Sequence, residues 1–118
     1  YAAHNKMDNL IATIDYNGQQ IDGPVNKILN LLDLKAKWES FGWEVIDSNG
    51  NDMSEIVKTL EYAKTQTGKG KPVLNLMKTE MGFGVDYMMG SHKWHGVAPN
   101  DDELAKALAQ LEETIGDY

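Results

Sequence analysis

The sequence contains no cysteine. Disulfides, thiolate metal sites and cysteine nucleophiles are therefore excluded. Such a composition fits a reducing compartment, so a cytoplasmic protein is expected. No apolar run approaches the roughly 20 residues that a membrane-spanning helix needs, so no membrane role is expected. Basic residues are few and scattered: 11 Lys and Arg stand against 18 Asp and Glu, a formal charge of −7. That balance argues against a nucleic-acid partner, which calls for a basic face. Internal repeats and low-complexity stretches are absent too. The start, Tyr1-Ala2-Ala3-His4, has no signal-peptide layout and no initiator Met, as in a segment of a longer chain.

What remains is an ordinary globular composition, 42% apolar and 25% charged over 118 residues. That length suits one compact domain. Asn5 to Asp8 reads as the end of an incoming helix. Leu10 to Tyr16 is a nearly continuous, β-branched apolar run, the pattern of a strand buried on both faces. Asn17-Gly18 breaks it, and Pro24 can open a short helical turn. Leu31, Leu34, Trp38 and Phe41 recur at helical spacing, with Gly42 to close the helix. Trp43 to Asp47 reads as a second strand and Ser48-Asn49-Gly50 as its turn. Asp52 and Glu55 have capping-box spacing ahead of a stripe of Ile56, Leu60 and Ala63. Thr67 to Pro72 reads as an exposed linker and Pro72 to Met77 as a third strand. Asn100 and Glu103 cap a last helix bearing Leu104, Ala107, Leu108 and Leu111.

Strands alternating with helices imply an α/β fold, a parallel sheet flanked by helices. In such sheets ligands sit beyond the carboxyl ends of the strands. The loops after Tyr16 and after Met77 both fall at that edge. The second, Lys78 to Pro99, is long and irregular yet carries aromatic and methionine residues, the mark of an ordered functional loop.

Several motifs fail on inspection. Asp47 to Asp52 resembles a calcium loop, but Asp52 occupies its glycine position and Lys58 its bidentate glutamate position. Gly68-Lys69-Gly70-Lys71 lacks the phosphate-loop spacing, and Gly82-Phe83-Gly84 lacks the third glycine of a dinucleotide fingerprint. His92 and His95 have no further ligands at zinc spacing. Asn17 is either a turn residue or an amide-oxygen ligand for a hard cation. His92 suits a structural role against Trp94. His95, before Gly96, suits hydrogen bonding or proton transfer.

Taken together, Asp8-Asn9-Leu10-Ile11-Ala12, Asp15 to Gly23, Trp38 to Trp43, Lys71 to Thr79, Gly82-Phe83-Gly84 and Ser91 to Pro99 resemble the transketolase family, in order and over nearly the whole chain. They look most like the N-terminal subunit of transketolases made as separate N- and C-terminal subunits. The resemblance implies a thiamine-diphosphate-binding fold, with residues 1–118 forming the later half of that domain. It implies ketol transfer between sugar phosphates, with thiamine diphosphate and Mg²⁺ (or Ca²⁺ or Mn²⁺) as cofactors. Asn17 matches a side-chain metal ligand, and Gln19 matches one acting through its carbonyl. Ile21 matches a residue lining the cofactor. His95 matches a histidine near the diphosphate and sugar, a catalytic position. Lys78 matches a position that is basic in some members and touches phosphate.

The family's motif opens with Gly-Asp-Gly upstream of any residue present here, so its Asp ligand is missing. The resemblance therefore implies that residues 1–118 are inactive alone. It also implies a partner, the C-terminal transketolase half or subunit, in a homo- or hetero-oligomer. An interrupted sheet should expose a strand edge and apolar surface, which favours self-association or a retained partner. Two other readings stand beside this one: a related thiamine enzyme such as a deoxyxylulose-phosphate or dihydroxyacetone synthase, and a non-catalytic interaction module keeping the domain's shape.

Overall fold

A computed structural model describes residues 1–112; residues 113–118 of the expected unit 1–118 lie outside the described residues. The chain runs through β1 (Ile11–Tyr16), β2 (Gln19–Gln20), β3 (Gly23–Pro24), α1 (Val25–Ile28), α2 (Leu34–Ser40), β4 (Glu44–Asn49), α3 (Met53–Gln66), β5 (Val73–Lys78), a 3-10 turn (His92–Trp94) and α4 (Asp101–Leu108). β5 lies between β1 and β4 and pairs in parallel with both. Tyr16 and Asn49 both register with Lys78, so all three strands end at one edge. The expected parallel α/β sheet is present.

The two crossovers run in opposite directions along the sheet. Right-handed connections then place α2 on one face and α3 on the other. On the α2 face Val45, Leu74 and Leu76 are buried, with Ala12, Ile14, Tyr16, Leu34, Trp38 and Trp43 packed on them. Trp38 and Trp43 meet edge to face, centroids 4.9 Å apart, a favoured geometry for two ring quadrupoles. On the other face α3 packs against β4 and β5 and Ala63 is fully buried.

Several expectations need correction. β1 is not buried on both faces: Thr13 and Asp15 are exposed, because α3, on their side of the sheet, packs mainly against β4 and β5. The continuous buried run belongs to the central strand, Val73 to Leu76. Residues 5–8 do not end a helix: a turn spans residues 2–6, with Asn5 N donating to the Tyr1 carbonyl and Lys6 at φ 50°. α2 begins at Leu34 instead of Leu31, because Leu32 sits at φ 53° and the Asp33 carboxylate caps Ala36 N at 2.9 Å. β4 continues through Ser48 and Asn49, which had read as a turn. Ser48 Oγ donates to Asn75 Oδ1 at 2.7 Å across the buried sheet and so belongs to it.

The capping box at Asp52 is half formed. Asp52 accepts from Ser54 N and Glu55 N, but Glu55 reaches Asn49 N instead of returning to the cap. The linker is pinned rather than free: Gly68 N donates to the Asp8 carbonyl and Gly70 N to its carboxylate. At α4 both halves of the Asn100–Glu103 box are present.

The radius of gyration is 17.5 Å, against about 13.5 Å for a compact domain of this length. The body is a slab measuring 52 × 37 × 17 Å. A slab cannot bury every apolar stripe. Accordingly Met53, Val57 and Leu60 on α3 are exposed, as are Leu104 and Leu108 on α4.

Leu74 is wholly buried in the central strand. Leu74→Ala is expected to cost about 2–5 kcal/mol of stability in denaturant unfolding. A loss below about 1 kcal/mol would show that this strand does not carry the core.

Candidate functional site at the carboxyl edge of the sheet

β1 ends at Tyr16 and β5 at Lys78, side by side. The two segments that leave there are tied at their roots. Thr79 N donates to the Tyr16 carbonyl at 3.4 Å, and Thr79 Oγ1 donates to the Asp15 carboxylate.

The first segment turns at Gly18, φ 70°, into a small antiparallel hairpin of β2 and β3. Val25 N donates to the Gly18 carbonyl at 2.9 Å. Alternation along an antiparallel pair then makes Gln19–Pro24 a position whose N–H and carbonyl turn outward. The Gln19 N–H turned that way meets Asn17 Oδ1 at 2.9 Å. The Gln19 carbonyl turns outward in the same way, so the ladder leaves it without a donor. An amide oxygen has two lone pairs, so Asn17 Oδ1 keeps one free. The Gln19 side chain adds a buried Oε1 with no hydrogen-bond partner among the described residues.

The second segment is long but braced. Gly82 sits at φ 74°, and a Cβ there would lie 2.5 Å from Met88 Cβ, so only glycine fits. Trp94 Nε1 donates to the Tyr87 carbonyl at 3.0 Å, and the two rings meet edge to face at 5.2 Å. Tyr87 Oη donates to the Glu103 carbonyl on α4 at 2.7 Å. Burial holds the Tyr87 hydroxyl above its ordinary pKa, with Glu103 and Asp86 adding to the effect. His95 follows the 3-10 turn, its N–H donating to the His92 carbonyl at 3.0 Å.

Both segments line one cavity of about 220 Å³, formed by Asn17, Gln19, Gln20, Ile21, Met81 and His95. Four of the five expected site residues thus surround a single space, with Ile21 exposed at the hairpin tip. Lys78 lies elsewhere. It lines a neighbouring cavity of about 350 Å³ with Asp47, Ser48, Asn49 and Glu55, and its Nζ is 3.7 Å from Asp47 Oδ1. Gln20, Met81 and the β2–β3 hairpin were not foreseen from the sequence, although the turn chemistry of Asp22-Gly23-Pro24 could have marked the hairpin.

Could this site hold the expected groups? The free lone pair on Asn17 and the Gln19 carbonyl are neutral oxygen donors of the kind a hard cation takes. Among the described residues no group of three His, Cys, Asp or Glu side chains could hold a metal. The two oxygens therefore fit as part of a coordination shell, not as all of it.

This geometry belongs to an α/β domain of the thiamine-diphosphate-binding fold. The family model for "Transketolase, thiamine diphosphate binding domain" matches residues 1–114. The chain is 37% identical over 110 residues to one subunit of the apulose-4-phosphate transketolase of Phocaeicola vulgatus, covering 93% of this chain and 38% of that one. It is 36% identical over 113 residues to the 6-deoxy-6-sulfo-D-fructose transketolase subunit SqwG of a Clostridium species, covering 96% and 40%. Its fold matches the crystal structure of transketolase from Campylobacter jejuni with a TM-score of 0.80 and 38% identity, over 92% of this chain and 17% of that one. The chain belongs to the transketolase family. It spans about two-fifths of the subunit-type relatives it matches. Among the described residues no helix is long and apolar enough to cross a membrane.

The Lys35–Asp47 pair beside the site generates a titration prediction. Lys35 Nζ and Asp47 Oδ2 are 2.6 Å apart. The hydrogen bond from Lys35 holds Asp47 below its ordinary pKa against the opposing effect of burial, with Lys78 adding to the lowering. The same bond raises Lys35. A carboxyl lowered on folding stabilises above the ordinary Asp range, and that contribution is lost as pH falls through the folded value. Both side chains are partly exposed, so the contribution is small. In an NMR titration Asp47 is expected to ionise below an ordinary Asp, and Lys35→Met to move it back up. An unmoved Asp47 would contradict the pairing.

Proposed function

We propose that this chain forms one wall of the cofactor and substrate site of a transketolase-type transferase, which moves a two-carbon ketol unit between sugar phosphates. The observation that carries the reading is the shared cavity of Asn17, Gln19, Ile21 and His95 at the carboxyl edge of a parallel sheet. Both matched subunits are named for transketolase activity on different sugars. The relatives therefore support the transferase class, and the sugar itself is left to product analysis with different ketose donors.

In this reading Asn17 Oδ1 and the Gln19 carbonyl hold Mg²⁺, for which Ca²⁺ or Mn²⁺ can substitute. The hairpin fixes both oxygens before the metal arrives, and that preorganisation lowers the cost of binding. Ile21 gives the cofactor an apolar surface. His95 hydrogen-bonds the diphosphate or the sugar from the facing loop. Lys78 reaches phosphate as a point charge from the adjoining cavity, in exchange for its contact with Asp47. Thiamine diphosphate supplies the carbanion-stabilising chemistry when bound; the protein groups bind, orient and shield the reactants. The remaining metal ligands, and a C-terminal half or subunit, come from outside these 118 residues in an oligomeric cytoplasmic enzyme.

In the intact enzyme, Asn17→Ala is expected to weaken Mg²⁺-dependent thiamine-diphosphate binding by at least about tenfold, the order of loss expected for one charged hydrogen-bond or metal contact. His95→Ala is expected to lower turnover by about 10²-fold, on the scale of a lost polar group acting on the reactants. Unchanged cofactor affinity in the Asn17 variant would sink the metal assignment. Residues 1–118 alone are expected to show no ketol transfer, and measurable transfer by them would refute that part of the reading.

A further inference from the structure

The segment between β5 and the 3-10 turn contains a closed loop within it. Glu80 and Gly90 are ten residues apart, yet the Gly90 N–H donates to Glu80 Oε1 at 2.6 Å. The bond is short, in the direction that a charged acceptor favours. The bond closes residues 81–89 into a loop whose two ends meet, the geometry of an Ω-loop. The loop fills its own interior. Met88 N and Met89 N both donate to the Val85 carbonyl, at 3.0 and 3.1 Å. Val85 is buried, and Gly82 lies against Met88 too closely for any side chain.

Glu80 is also fixed from behind. Its backbone N–H donates to Asn51 Oδ1 at 2.7 Å, at the turn before α3. A continuous path therefore leads from the sheet, through Asn51 and Glu80, to Gly90. Met81, next to Glu80, and His95, five residues beyond Gly90, line the same cavity. The neck of the loop thus sets where both enter that cavity.

We propose that Glu80 is a positioning residue: its carboxylate clasps Gly90 and thereby fixes the approach of His95 to the pocket shared with Asn17 and Gln19. Glu80 itself is not among the residues that line the cavity. Its effect passes through Gly90 and the 3-10 turn. The role is separate from the capping of α4, which Asn100 and Glu103 complete between themselves.

The test uses the intact enzyme, assembled with its cofactor, and has one arm independent of catalysis. In hydrogen exchange, Glu80→Leu is expected to speed exchange of the Gly90 amide by about tenfold or more, the scale of a lost hydrogen bond to a charged group. Glu80→Gln keeps an acceptor oxygen and should exchange within about threefold of the parent. Glu80→Asp, one methylene shorter, should behave like Leu. Unchanged Gly90 exchange in Glu80→Leu overturns the clasp, whatever the enzyme does.

The second arm rests on the role proposed for His95. Glu80→Leu is expected to lower kcat/KM about tenfold, with Glu80→Gln restoring most of it. In a His95→Ala background the same Glu80→Leu change should cost nothing further, because residues acting through one another are not additive. Full additivity would assign Glu80 to general stability and overturn the positioning role. Faster Gly90 exchange with unchanged kcat/KM would also overturn it. A null effect of His95→Ala itself would instead implicate the functional reading, so the two failures are distinguishable.

Discussion

The parallel pairing of Ile11–Tyr16 with Val73–Lys78 is the constraint on which the site depends. These strands are separated by more than fifty residues, which form three helices and three other strands. Their register brings Tyr16 beside Lys78, so the segments leaving each strand start from neighbouring points. The pairing is driven by burial: Val73 to Leu76 lose nearly all contact with solvent in the middle of the sheet, and apolar burial is the main favourable term in folding. The hairpin and the long loop are then placed by a hydrophobic strand that touches neither of them at the pocket.

Polar contacts refine what the sheet makes possible. Thr79 ties the roots of the two segments to Asp15 and Tyr16. The non-hydrogen-bonded position of Gln19 in the hairpin turns its carbonyl outward and leaves it open. Asn17 spends one lone pair on Gln19 N and keeps the other. The same hydrogen bond therefore shapes the turn and aims the oxygen. The turn-residue and metal-ligand readings of Asn17 are compatible for that reason.

Much of the architecture was legible in the sequence, and the misses share a physical cause. The three strands, the parallel order and the capped α4 followed from apolar runs, crossover rules and the Asn100–Glu103 spacing. Periodicity records which residues are apolar, however, and not which neighbours they find. It could not show that β1 is an edge strand, nor that Leu104 and Leu108 stay exposed on a slab only 17 Å thick. Nor could it reveal that Leu32 adopts a left-handed backbone and delays α2. The candidate site residues came from the family resemblance. Four of the five surround one cavity; Lys78 lines another, drawn to Asp47 by a contact that no local pattern encodes.

The central claim is that the Asn17 hairpin and the His95 loop are two walls of one cofactor pocket. The most direct measurement is anomalous scattering from crystals of the intact protein grown with Mn²⁺ and thiamine diphosphate. A manganese peak is expected at coordination distance from Asn17 Oδ1 and the Gln19 carbonyl, with His95 facing the cofactor's diphosphate across the cavity. A peak held instead by Asp47 and Glu55 in the neighbouring cavity, or cofactor density away from both Asn17 and His95, would contradict it.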